Sequence, residues 1–327
     1  MAVKQLGKKG MFLTFIAISL IAALIVIFTP SDINLSKNLQ ATKTRVSNVN
    51  EYVSDLESVY LERTLQATGR KTLISLIGHV KDNGFFDNAV KFENAFSDVL
   101  LTGKYNGNNI GVMDENTYND WLNQIVITAK STFNVDTTLT VNSIEIDQTR
   151  PWFVDVEADI TFLVSSETAS WNKNVLIETE ISVENFDDPY YLVNTEGSYI
   201  NKIRKSDTKF DEWSDEKVID FIEDGNYTHF EDGQAPSFLM RFYNDISASS
   251  CCGIESLVNP NNPSISNKDV SYVDYLYWSS VENCANPPYT LLRVDKIHTE
   301  FPNFKFDLNH LAKYKLSADE QICPPPG

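Results

Sequence analysis

The 327-residue sequence lacks the local patterns that mark most enzyme classes. It has no Gly-x-Ser-x-Gly elbow, phosphate loop, dinucleotide fingerprint or His-Glu-x-x-His helix. Histidine is scarce, and His79, His229, His298 and His310 fall on different segments. The expectation is a chain that is not an enzyme, with no catalytic residue and no cofactor. Cysteine is scarce too: Cys251, Cys252, Cys284 and Cys323 all lie in the last third, with no Cys-x-x-Cys and no histidine at finger spacing. That excludes a zinc finger. An even number of cysteines in an exported chain reads as a disulfide framework with three possible pairings. If Cys251 or Cys252 reaches Cys284 and the other reaches Cys323, two loops close and the tail "CPPPG" is pinned.

Positive charge is also short. Lys and Arg number 27 against 45 Asp and Glu, for a net charge of −18. Setting aside the leader lysines Lys4, Lys8 and Lys9 leaves 24 against 45. So acidic a surface repels nucleic acid, which is excluded as a partner. One acidic stretch, "DGNYTHFEDG" (224–233), puts Asp224, Asn226, Thr228 and Asp232 at positions one, three, five and nine of a calcium loop. His229 replaces the turn glycine and Ala235 the bidentate glutamate, so the EF-hand pattern fails and no metal site is assigned.

What the sequence does have is a run of nineteen uncharged residues, Met11–Thr29, with no acidic residue before Asp32. A helix of that length spans roughly 30 Å, the thickness of a bilayer core. The basic flank stays inside. The expectation is a transmembrane helix over 11–30 behind a cytoplasmic leader, 1–10. The protein is then single-pass in the cell membrane, with the lipid bilayer as partner and the C-terminal domain extracellular. Sequons at Asn34 and Asn226 permit glycosylation.

Beyond the anchor the fold class reads as α+β. In a helical stalk region, 31–101, Leu39, Thr42, Val46, Val49, Val53, Leu56 and Tyr60 recur at steps of three and four. That seam fits either a helix packed on its own domain or a stalk meeting partner helices. Gly69, Gly78 and "DNG" (82–84) mark expected breaks. Residues 102–201 read as a helix with Tyr118, Leu122, Ile125 and Ala129 on one face, capped at Asp114. An antiparallel meander follows: 137–147, 151–165, 174–185 and 189–197. In the second strand Val154, Val156, Ala158, Ile160 and Phe162 form one face. An acidic bridge, 202–233, carries a helix capped at Ser214. A cysteine-containing region, 234–327, is expected to be β-rich, with a strand at 270–279. There Tyr272, Tyr275, Tyr277 and Trp278, with Tyr289, form an aromatic patch, read as core or as a contact surface.

The stretch "KKGMFLTFIAISL" resembles the class III signal of archaeal type IV pilin-like proteins, in which a membrane peptidase cuts after a basic-Gly pair. The resemblance implies Lys9 and Gly10 as the recognition pair and Met11 as the mature first residue. The order of stem, Pro30, long helix and sheet is similar to a pilin as well. Phe15 stands where bacterial pilins carry a glutamate, which removes a charge pair with a neighbouring subunit. The resemblance implies a cell-surface structural or adhesive protein, self-associating through its stem or with other pilin-like subunits. Ala17, Ser19, Ala22 and Ala23 are small enough for stems to approach. The alternative is a membrane-tethered extracellular module that binds sugar, peptide or metal.

Overall fold

The structure, a computed structural model, describes residues 32–167, 169–231, 233–279 and 290–323. Asp32–Asp55 (α1), a π-helical turn Leu56–Tyr60 and Leu61–Asn83 (α2) run on as one rod. The junction residues Asp55, Tyr60 and Leu61 all keep right-handed helical dihedrals. The three pieces of 24, 5 and 23 residues make a helix on the order of 75 Å long. The sequence seam explains its first contacts: Val49, Val53 and Leu56 are buried in the protein's own core. The seam then misses by one residue. Tyr60 is 42% exposed and Leu61 is fully buried in its place. The π turn inserts the extra residue that carries the apolar stripe from Leu56 to Leu61, five positions on, before the step returns to four at Leu65.

Gly69 and Gly78 do not break the helix; both lie inside α2. Gly69 is a contact point. A Cβ there would stand 2.7 Å from Ile181 Cδ1, so the missing side chain lets the helix settle on the sheet. The break falls at "DNG", where Gly84 ends α2 at φ +84°. The rod is backed by Ala89–Thr102 (α3) and Tyr118–Phe133 (α4). The cap of α4 is Thr117, in a reciprocal box with Asp120, and not Asp114.

The period-two stretches form Asp136–Arg150 (β1), Phe153–Ser165 (β2) and Ser170–Ser182 (β3), an antiparallel meander in that order. The register pairs Ile146 with Val156 and Val156 with Thr179. Val154, Val156, Ala158, Ile160, Phe162 and Val164 are all buried, as their alternation requires. α2 and α3 cover this dry face.

Two expected strands are helical. Residues 189–197 begin with Pro189–Asn194 (α5), capped by Asp188 with Pro189 in the first turn. Residues 270–279 contain the single turn Asp274–Tyr277 (α6 is Asp215–Asp224, so this is α7). Among its described residues the C-terminal region is not β-rich. Its strands are only two or three residues long, Tyr227–Thr228 with Glu255–Ser256 and Leu291–Arg293 between Phe306–Asp307 and Glu320–Gln321. Asp295–Glu300 (α8) and Leu308–Lys313 (α9) complete it.

The transmembrane expectation is corrected. Among the described residues no helix is long and apolar enough to cross a membrane. The long helix begins with a polar stretch that includes Lys37, Lys43 and Arg45 in α1. The segment 11–30 itself lies outside the described residues. The single-pass membrane location is corrected as well, since no described helix supports a membrane anchor.

Two glycines of α2 give opposite expectations. Gly69→Leu overfills the contact with Ile181 and Phe96 and lowers stability by about 1–3 kcal/mol. Gly78, which has nothing within 4 Å of its Cβ position, gains about 0.5–1 kcal/mol as Gly78→Ala. Urea denaturation of the two variants measures both.

Candidate functional site

Residues 183–323 are largely irregular, so their polar backbone cannot be satisfied by long ladders. A buried charge cluster does part of that work. Arg241, on the short 3₁₀ turn Leu239–Phe242, is completely buried. Its Nη1 donates to Asp188 Oδ2 at 2.6 Å and to Asp274 Oδ2 at 2.8 Å, and its Nη2 donates to the carbonyl of Ile254. Asp188 caps its helix, accepting from Tyr190 N at 2.8 Å, and Asp274, the first residue of α7, accepts from Tyr275 N at 2.7 Å. Tyr227 donates its hydroxyl to Asp188 (2.7 Å) and Ser256 donates to Asp274 (3.0 Å). With the Ser256 proton so committed, Tyr191 is the donor to Ser256 Oγ at 2.9 Å. The guanidinium also lies 4.8 Å from the Tyr190 ring centre. Burial lifts Asp274 to about 6, against the pull of Arg241.

A second cluster lies beside it. His310 on α9 places Nδ1 2.7 Å from Asp307 Oδ2 and Nε2 3.4 Å from Glu255 Oε2. Burial pushes the imidazole down, but the Glu255 charge and the Asp307 bond outweigh it and raise His310 to about 10. Tyr314 donates to Glu255 Oε1 at 3.0 Å. These clusters have no opening to solvent at Arg241, Asp188 or Asp274, so they hold loops together and offer no place for a substrate.

The accessible feature is a groove of about 840 Å³ on the far side of this second cluster. Phe210, Phe230 and Leu308 form its apolar walls; His229, Gln234 and Lys313 supply polar groups. Phe210 is 60% and Leu308 59% exposed. His229 Nδ1 lies 2.7 Å from the Gly253 carbonyl. A carbonyl can only accept, so Nδ1 carries the proton. The volume matches that of small-molecule sites. A third feature is the outer face of the meander, where Glu145, Glu157 and Glu178 stand directly opposite one another across three strands, as do Asp147, Asp155 and Glu180. Arg150 bridges Asp155 and Glu180 at 2.9 and 2.7 Å.

The residues singled out from sequence are dispersed. Cys251 and Cys252 bond to each other, so the arrangement that sends them separately to Cys284 and Cys323 is not adopted. Cys323 is disulfide-bonded as well, and Cys284 lies outside the described residues. Lys9, Gly10 and Met11 also lie outside them. Asn34 falls within α1. Asn226 sits at the turn after α6, its amide donating to Asp224 at 3.3 Å, while Thr228 is drawn into a strand against Glu255. Asp232 lies outside the described residues. Among those described, no group of three His, Cys, Asp or Glu is placed to hold a metal ion. Of the aromatic patch, Tyr272, Tyr275 and Tyr277 are buried, and Tyr289 lies outside the described residues. Sequence reasoning missed Arg241; its one signal is an arginine inside the apolar run "PSFLMRFY". Comparison with known proteins finds no matching family model, no similar curated protein and no similar solved structure.

Arg241→Met leaves two buried carboxylates without their cation and is expected to cost about 3–5 kcal/mol in chemical denaturation. Adding Asp188→Asn and Asp274→Asn recovers part of that loss, because the stranded charges go with the arginine. For His310 the folded value lies above the ordinary 6.5, so its contribution is complete below pH 6.5 and is lost as pH rises through about 10. Stability measured by denaturant titration therefore falls across that window in the parent protein, and His310→Gln flattens the fall.

Proposed function

We propose that this chain is a non-catalytic structural subunit that self-associates through the segment preceding its folded body. One observation carries the reading. The long helix runs from Asp32 without a break, and among the side chains described Val49 is the first one buried in the core. Ahead of that helix the sequence holds the uncharged run Met11–Thr29, which in water must be covered by other apolar surface. Packing against the same run in other copies covers it, and its small residues favour close approach. The Lys9-Gly10 pair and the order of stem, long helix and meander support a pilin-like subunit within this class. The disulfides support an oxidising compartment.

A second reading, a ligand-binding or adhesive module, is favoured by the groove between Phe210 and Leu308. Glycan arrays and peptide titrations that give no binding sensitive to Phe210→Ala count against it.

The assembly reading makes a direct prediction. In detergent-free buffer the full-length chain sediments as large assemblies visible by negative-stain microscopy. A chain beginning at Asp32 sediments as a monomer with an unchanged melting temperature. A full-length protein that stays monomeric sinks the proposal.

A further inference from the structure

The bond between Cys251 and Cys252 closes the shortest loop a disulfide can close. Its restraint on the unfolded chain is correspondingly small, unlike that of a bridge across a long loop. Its position is more informative than its loop. Both sulfurs lie against the carbonyl oxygen of Gln148, at 3.5 Å for Cys251 and 3.1 Å for Cys252. Gln148 belongs to the irregular end of the β1–β2 hairpin, inside the register shift between Asp147 and Arg150. Its side chain is already committed: Nε2 donates to the carbonyls of Arg150 and Pro151, and Oε1 accepts from Leu239 N at 3.2 Å. The cysteine turn is thus seated where the C-terminal region docks on the meander.

The same turn is tied to both other features. Gly253 O takes the proton-bearing Nδ1 of His229 at the groove wall, and Ile254 O takes Arg241 of the buried cluster. Gly253 is pressed so closely on Ala235 that a Cβ would collide with its carbonyl oxygen. Cys252 is fully buried, whereas Cys251 is exposed and offers its sulfur to a nucleophile.

We propose that Cys251–Cys252 is a redox-responsive latch between the C-terminal region and the hairpin, opened by an external dithiol. One thiolate of the reductant attacks the exposed Cys251 sulfur, and Cys252 leaves as a thiolate and takes up a proton. The second thiol of the reductant then attacks the mixed disulfide, releasing Cys251 as a thiol and the reductant as a cyclic disulfide. Two electrons pass from reductant to protein. The Cys252 S–H then points a weak donor at Gln148 O, while Cys251 is freed from the ring and the turn gains torsional freedom. The hairpin end and the groove wall at His229 loosen together.

The test uses the oxidised full-length protein titrated with dithiothreitol, read by differential alkylation and by amide hydrogen exchange. The expected result is that Cys251 and Cys252 are alkylated while the Cys323 disulfide remains. Exchange across 147–153 and 249–256 then speeds about tenfold, with α2 unchanged. Cys251→Ser with Cys252→Ser reproduces the loosened pattern and no longer responds to dithiothreitol. Selective reduction with unchanged exchange overturns the proposal, as does reduction of the pair only in step with Cys323. Should the double variant not fold, the titration of the parent protein decides alone.

Discussion

A guanidinium with no contact to water is the constraint on which the C-terminal half depends. An isolated charge at that depth is prohibitive, so the chain must deliver compensation to one point. It does so from three directions: Asp188 before α5, Asp274 at the start of α7, and the carbonyl of Ile254 behind the cysteine turn. Two carboxylates against one cation would leave an excess negative charge. That excess is spread over Tyr227, Ser256 and the first amides of the two helices. Any other packing of these loops strands at least one of the three ions, which separates the native arrangement from its competitors more than it adds net stability. Irregular backbone can therefore keep one conformation without a long sheet.

How far this was legible depends on the range of each interaction. The meander was readable because a two-residue period is written locally, in Val154 to Phe162 against Asp155 to Thr161. The long helix was readable from its seam, and even the miss at Tyr60 has a local cause, the extra residue of the π turn. "PYYLVNTEG" and "VSYVDYLYWS" were misread because aromatic side chains in alternation imitate a strand. The cap signal in front of the first, Asp188 followed by Pro189, was present and carries the correct answer. Arg241 was beyond reach because its partners lie 53 and 33 residues away. The Cys251–Cys252 bond stayed one of three open pairings, because cysteine count sets the number of pairings and is silent on which forms.

The candidate groove shows the same limit. Phe210, His229 and Leu308 come from a linker, a strand end and a short helix, and nothing in their spacing brings them together. What the sequence did hold was a surplus of aromatic residues in a region without long strands. Such residues need partners, and most found them in the core, as Tyr272, Tyr277 and Tyr314 did. Phe210 meets Phe230 edge-on at 6.2 Å and still stays largely exposed at the groove.

The outer face of the meander bears on assembly through repulsion. Two rows of three carboxylates face one another at the closest cross-strand positions, an arrangement that disfavours the sheet itself. Arg150 relieves one row only. A flat sheet face free of charge would invite a second copy to stack on it, whereas this face repels its own likeness, as does a chain of net charge −18 in general. A subunit meant to associate in one way needs attraction confined to one element and refusal elsewhere. In the assembly proposed above, the uncharged run ahead of the helix supplies the first and the carboxylate rows supply the second. On this argument the acidic face selects the mode of self-association by penalising the alternatives, and its cost to the sheet is the consequence of that selection.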